Sequence, residues 1–590
     1  MLFRSHDDVV EFLRIGAVGD GVAECRGGRR DAIVDLGVAA LDRQRPEGRR
    51  AQRRRGAFIG GQLVGINTAI YSRSGGSMGI GFAIPVTTVK NVMDSIIATG
   101  QVVRGYIGVE PQDITPEVLQ LVEGIPTLRG YASPPAGIDA GLAALAADPQ
   151  GGALLSTLSG STRTIVGTST KLYEGSGGTW TDRSRGGNYS IGGGRWRYVQ
   201  FGNTSLAINL STVLQSGASG ASFADVSNAP KAALMEAAAG FVMLANTDDS
   251  GLSITGGPNA AQEHRWWCSQ IFNPTGTWAP SVQTQATTGL LVETPGAITA
   301  LKRLGNDIVA YKGRSIYVGQ YVGSPEAWQW RCVPQDIGCL SNDAVINAGT
   351  SHYFIGDDDV YVFDGTRPYG IGEGIRNWFF SRLNRAQLSL VRSLHDRANG
   401  RLFWWYPSGG SSTLTSCLVY HILTKRWGHF DLTVLDVMDA FTSAVTYDTL
   451  TSAIGSVTYD GFPGYLTYDD PFWIANTPIL SYFNTSRYLT NLSTTRNSAS
   501  LRTGWFGSEE AVTTATRVRP RYRVKASSAS ILPRHVMGLG DMIVEEPAVA
   551  NNGDRFDVLQ SARYHQFDIS FTGAMEVEAI VPTLKPMGAE

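Results

Sequence analysis

Three adjacent carboxylates, Asp357-Asp358-Asp359, form the densest acidic run in the sequence. Clustered carboxylate oxygens suit a hard cation, but the Asp-x-Asp-x-Asn/Asp-Gly register is missing. Strand-like runs flank the triplet, so a solvated hairpin turn is the expected reading. His264, His352, His395, His421 and His429 have no metal-type spacing; His421 and His429 flank a turn. Gly192-Gly-Gly194 and Gly256-Gly257 lack the lysine and the strand–helix context of a phosphate loop. Paired acids for glycoside hydrolysis remain open, because a propeller gathers its site from several blades, and Asp364, Glu373 and Asp396 are the first candidates. Trp180, Trp328, Trp330 and Trp427 suit sugar stacking or core packing; they are spread through strand-like runs, which favours packing. The expectation is a chain with no catalytic, cofactor-binding or metal-binding residues and no cofactor.

The elements that would position such residues are set by length and composition. The 590 residues exceed a single small domain, although a large all-β body can use several hundred. Apolar residues make up 43% and charged residues 17%, the opposite of the balance that keeps a chain disordered. No apolar run approaches the length of a membrane span, and the N-terminus has no signal-peptide core, so a soluble chain is expected. Cys25, Cys268, Cys332, Cys339 and Cys417 are few and irregularly placed, which points to reduced thiols. Residues 1–56 hold 12 Arg, no Lys and 9 acids, whereas the remaining 534 residues hold 38 Lys or Arg and 43 acids. The bulk of the molecule is therefore expected to neutralise phosphates poorly.

Residues 1–57 are an Arg-rich leader with no assigned fold, either a nucleic-acid or membrane-surface arm or a foreign or disordered segment, the second being preferred. From Phe58, alternation around Gly60-Gly61 and Gly65 predicts two short strands. Gly79 to Pro85 predicts a third, and Val89, Val92, Met93, Ile96 and Ile97 a helix closed by Gly100. Val64-Gly-Ile-Asn-Thr-Ala-Ile70, Gly79-Ile-Gly-Phe-Ala-Ile-Pro85, Lys90-Asn-Val-Met-Asp-Ser95 and Arg104-Gly-Tyr-Ile-Gly-Val109 resemble the end of the protease domain and the start of the first PDZ domain in HtrA-type serine proteases. The resemblance spans residues 58–123. It implies a nucleophilic serine roughly 13 residues upstream of Gly-Ile-Asn-Thr, which falls near Gln52. No Ser lies between Ser5 and Ser72, and His6 alone precedes His264. A nucleophile without its base cannot work, so this segment reads as a severed fragment, joined by natural fusion or by sequence assembly.

Residues 124–590 are expected to be mainly β, with a β-propeller body at 124–502, inserted loops, and a C-terminal β region at 503–590. Hairpin-like units starting near 308, 353 and 401 recur at the length of a four-stranded blade. Each blade has two apolar faces that only neighbouring blades can bury, and the four tryptophans are expected on outer strands facing a neighbour. Phe567, Ile569 and Phe571 alternate with polar residues, as in a half-buried strand. Helical spacing is confined to stretches such as Pro230–Ala239, and the Ser/Thr-rich region from Asp439 to Asn497 reads as loops or a β extension.

Leu128-Arg-Gly-Tyr-Ala-Ser-Pro-Pro135, Thr179-Trp-Thr-Asp-Arg183, Arg195-Trp-Arg-Tyr-Val-Gln-Phe-Gly202, Leu244-Ala-Asn-Thr-Asp-Asp249, Lys312-Gly-Arg-Ser-Ile-Tyr317, Tyr361-Val-Phe-Asp-Gly365 and Ala562-Arg-Tyr-His565, in this order, resemble tail nozzle or hub proteins of short-tailed bacteriophages. The resemblance implies a structural virion protein made in the host cytoplasm, not an enzyme, in a ring of about six copies. Its partners would be further copies, portal and adaptor proteins above, and tail fibre or plug proteins around or below. Double-stranded DNA would pass its lumen without specific binding. The alternative is a glycan-binding or glycan-cleaving propeller; a degenerate protease is a remote one.

Overall fold

The computed structural model describes residues 56–59, 62–70, 81–85, 119–120 and 123–587, apart from 193, 253–258, 442–477, 496–497 and 539. The chain divides into two compact units, Met1–Glu110 and Pro111–Glu590. In the first, Gly56–Ile59, Gln62–Ile70 and Gly81–Pro85 form an antiparallel sheet in that order, matching the three expected strands. The expected helix at 89–97 and the Arg-rich leader lie outside the described residues.

In the second unit the short aromatic and β-branched runs pair into seven four-stranded antiparallel sheets. The innermost strands are Gly152–Ser156, Arg197–Phe201, Lys231–Ala238, Ala300–Leu304, Val345–Asn347, Arg392–Asp396 and Asp436–Phe441, and they define blades 1 to 7. Each inner strand touches the next, and the seventh returns to the first, so the sheets close as a propeller. The expected units near 308, 353 and 401 are the second strands of blades 4, 5 and 6, Asp307–Tyr311, His352–Ile355 and Arg401–Tyr406. Closure uses both ends of the body: Pro135–Asp139 pairs with Leu489–Thr495 as the outermost strand of blade 7.

Hydrophobic clusters fill the seams between blades. Ile165, Trp196 and Phe223 join blades 1 and 2, while Met438 and Phe483 of blade 7 pack on Val166 of blade 1. The four tryptophans sit on outermost strands. The Trp180 ring lies 6.0 Å from Phe483 of blade 7; Trp328 and Trp330 of blade 4 lie 5.8 Å from Phe241 and 5.5 Å from Trp266 of blade 3. Trp427 donates its Nε1–H to the Ile371 carbonyl between blades 5 and 6.

Two stretches differ from expectation. Lys231–Ala238 is an inner strand and not a helix, because pairing with Phe241–Asp248 and burial of Ala232, Leu234, Met235 and Ala238 override the helical preference of Ala, Leu and Met. Within the Ser/Thr-rich region, Pro478–Phe483 and Leu489–Thr495 are regular strands of blade 7. A helix the sequence did not signal, Arg376–Arg382, links blades 5 and 6 and buries Phe379 against Tyr406, 5.0 Å between rings.

A second β body shares one core between two sheets. One contains Ser498–Thr503, Ser528–Val536 and Tyr564–Thr572; the other contains Thr513–Val524, Phe556–Ala562 and Glu576–Pro586. Phe567, Ile569 and Phe571 are buried there, as their alternation predicts, against Val518, Phe556 and Val577. Ile125–Pro126 and Tyr131–Ala132 complete the second sheet, so this body draws on chain before and after the propeller. It docks on blade 6, where the Gly124 and His429 backbones exchange hydrogen bonds of 2.9 and 3.0 Å. Gly428 is required there, since a Cβ would lie 2.5 Å from Pro126 Cδ and 2.6 Å from the Gly124 carbonyl oxygen.

Trp328 seals the seam between blades 3 and 4 at 5% exposure. Trp328→Ala should cost about 3–5 kcal/mol of stability. The check is a lowered urea midpoint with an unchanged slope; an unchanged midpoint would refute the packing role.

Candidate functional site at the propeller axis

Propellers place ligands where the inner strands converge. Here that place holds charged side chains contributed by the beginnings of four inner strands: Arg195 and Arg197 (blade 2), Asp343 just before blade 5, Arg392 (blade 6) and Asp436 (blade 7). Arg195 Nη1 donates to both Asp436 oxygens at 2.8 Å, and its Nε lies 3.0 Å from Asp343 Oδ2. Arg197 pairs with Asp343 as well. Arg392 bridges the two acids, 3.5 Å from Asp343 and 3.4 Å from Asp436. The Gly151 N–H also donates to Asp436, at 3.0 Å; Gly151 sits at φ +117°, where a Cβ would meet the Trp196 carbonyl oxygen at 2.6 Å.

The electrostatics are those of a compensated network. Burial alone would raise the Asp343 carboxyl, but Arg197, Arg195, Arg392 and Lys302 hold it well below the usual carboxylate range. Burial and the repulsion of Arg195 bring Arg392 down to about 10, against the pull of Asp343 and Asp436. Lys302 (blade 4) is pushed down by burial and by Arg197 and Arg195, although Asp343 and Glu236 favour its charge. Glu236 (blade 3) is pushed up by burial despite Lys302. A carboxylate held ionised by guanidinium groups, as that of Asp343 is, makes a poor general acid, and no nucleophile–base pair adjoins it in this network. What the arrangement does is tie blades 2, 5, 6 and 7 across the axis. These residues carry a weak sequence signal, a charged residue opening an apolar strand, which acquires meaning only when the ring brings the openings together.

The sequence candidates lie elsewhere. Asp359 accepts the Val360 and Gly372 amides at 2.7 and 3.0 Å, Asp358 accepts the Tyr361 hydroxyl at 2.6 Å, and Asp357 lies 3.5 Å from Arg385: a hairpin turn with its own partners. Asp364 caps the turn between the third and fourth strands of blade 5, and Asp396 the turn between the first and second of blade 6. Glu373 is exposed in the link from blade 5 to blade 6. Antiparallel succession puts the two turns at one end of the ring and the link at the other, so the structure does not bring these acids together as a glycosidase pair. His421 accepts the Thr424 amide, His429 lies 3.2 Å from Asp431, and His264 and His395 sit on strands of blades 3 and 6. Among the described residues no group of three His, Cys, Asp or Glu is placed to hold a metal. Gly256-Gly257 lie outside the described residues.

His352 is buried, with Nε2 2.8 Å from the Arg303 carbonyl and Nδ1 2.8 Å from the Tyr311 hydroxyl, which fixes the neutral ring with its proton on Nε2. Burial brings its pKa to about 4; the Arg303 carbonyl offsets this in part and Lys302 adds to it.

The comparisons with known proteins are local. A probable periplasmic DegP-like serine endoprotease of Brucella suis is 53% identical over 60 residues, 10% of this chain and 12% of that protein. Its counterparts in Chlamydia trachomatis and Rhizobium meliloti are 55% and 50% identical over 60 and 62 residues. The chain thus spans 12% of the length of these relatives, and the likeness to HtrA-type proteases holds for a short segment alone. No protein-family model matches. The computationally designed Ika8 protein aligns with 60% of this chain and 98% of its own at 12% identity, with a TM-score of 0.29.

Asp436 is 2% exposed at its side chain, and neutralising it leaves Arg195, Arg197 and Arg392 to share the single carboxylate of Asp343. Asp436→Asn should cost about 3–5 kcal/mol, read as a lowered denaturation midpoint; an unchanged midpoint would show that the network does not hold the ring. His352 binds its proton near pH 4 in the folded chain and near 6.5 unfolded, so its contribution is intact above pH 6.5 and lost towards pH 4, by about 3 kcal/mol. His352→Gln should flatten the stability profile between those limits, as urea titrations at a series of pH values would show.

Proposed function

We propose that this chain is a structural virion protein, a tail nozzle or hub of a short-tailed bacteriophage, working as a ring of about six copies. The observation that carries the reading is the propeller axis crossed by its own ion pairs, Arg195–Asp436, Arg195–Asp343 and Arg392–Asp343. A propeller filled in this way is suited to be a wall, and a passage for DNA then lies between copies rather than through each one. The order of short motifs from Leu128 to His565 supports the same reading. Below a portal and adaptor, and beside fibres or plug proteins, such a wall would retain the genome and guide its ejection. The reading ascribes no enzymatic activity to the chain. The segment similar to DegP-like endoproteases follows a stretch without a serine nucleophile, and His6 is the one histidine ahead of it. The glycan alternative has less support, because Asp364 and Asp396 cap turns at the end of the ring opposite Glu373.

Negative-stain images of the purified full chain should show rings of about six copies with a central opening. A persistent monomer at micromolar concentration, or hydrolysis of a peptide or glycoside, would refute the assignment.

A further inference from the structure

The longest strand of the second β body, Thr513–Val524, reads Thr-Thr-Ala-Thr-Arg-Val-Arg-Pro-Arg-Tyr-Arg-Val. Val518 and Pro520 are buried, so Arg517, Arg519 and Arg521 share the opposite, outer face; past Arg521 the pairing with Glu576–Pro586 is irregular, and Arg523 and Lys525 continue the row as exposed cations in sequence. Arg519, Arg521, Arg523 and Lys525 are exposed. Over the regular stretch Arg517, Arg519 and Arg521 repeat at about 6.8 Å, the rise of two residues in an antiparallel strand, a spacing comparable to that of successive phosphates along one nucleic-acid strand.

Acids meet this row at its ends. Arg517 lies 3.8 Å from Asp557, Arg523 3.6 Å from Glu576 and Lys525 2.5 Å from Asp554. No carboxylate stands within ion-pair distance of Arg519 or Arg521 among the described residues, and their cross-strand neighbours are Val581 and Ala579. Asp554 feels Arg519 at longer range, which helps to hold it below the usual carboxylate range after the larger effect of Lys525. The row is thus least compensated at its centre, in a stretch of 534 residues with 38 cations and 43 acids.

We propose that this outer sheet face is a track for the phosphate backbone of double-stranded nucleic acid. Guanidinium groups match phosphate oxygens two at a time, and four of the five cations are Arg. The row carries no outward aromatic ring on which unpaired bases would stack, since Tyr522 packs on the core at 6.1 Å from Phe571. Base edges have no reader there, so the contact is independent of sequence. The inference is separate from the nozzle reading, because the face exists in a single copy; a monomer that binds duplex would refute the ring and leave the track standing.

The test is fluorescence anisotropy of a labelled 20-bp DNA duplex with the full chain across a salt series, comparing wild type, R519Q/R521Q and, as a control, R314Q on the propeller. Wild type should bind with a log–log salt slope that falls by about 1.8 in R519Q/R521Q, two contacts at 0.9 each. Affinity at low salt should drop at least tenfold, while R314Q stays at the wild-type value. Arg519 and Arg521 are exposed, and an unchanged thermal midpoint would confirm that the double variant is folded; Arg521→Gln alone, with a slope lower by about 0.9, serves if it is not. Unchanged binding in R519Q/R521Q, loss confined to an R53Q/R54Q leader variant, or binding to polyglutamate or heparin but not to duplex would each overturn the proposal.

Discussion

Closure of the ring is the constraint on which the larger body depends. A four-stranded blade has two apolar faces and cannot bury either by itself, so none of the seven is a stable object alone. The pairing of Pro135–Asp139 with Leu489–Thr495 fixes the last blade to chain that precedes the first. Met438 and Phe483 then gain Val166 as a partner, and every seam has a neighbour. Without that pairing, blade 7 would present Leu489 and Tyr482 to water along an unpaired edge.

The charged network across the axis follows from closure. Arg195, Asp343, Arg392 and Asp436 come from four blades and meet because inner strands of a ring begin at the same end. Desolvating charges is costly, and the cost is offset only while each cation has its acid. The network therefore rewards one ring geometry over alternatives in which blades shift register.

The two β bodies use charge in opposite ways. On the propeller axis three arginines share two enclosed aspartates; on the outer face of the second body cations repeat along one strand, with acids at the ends of the row and none within ion-pair distance of Arg519 or Arg521 among the described residues. Both come from a chain whose overall charge is close to balance, so net charge describes neither. The expectation that the bulk of the molecule would neutralise phosphates poorly averages over the row from Arg517 to Lys525, whose period-two arginines are visible in the sequence once that strand is considered alone.

The sequence by itself determined the β character of the body, the hairpins near 308, 353 and 401, the tryptophans at blade seams, the alternation in Tyr564–Thr572 and the short protease-like segment. These are legible because strand pairing, alternation and aromatic filling act over a few residues. Tertiary structure decided the rest. The strand at Lys231–Ala238 takes its form from its neighbours and not from helix preference. The number of blades, the strand that closes them, the mixed origin of the second body and the ion pairs at the axis join residues hundreds of positions apart. Such contacts arise only when the chain has closed upon itself, because no local spacing encodes which distant charges will meet.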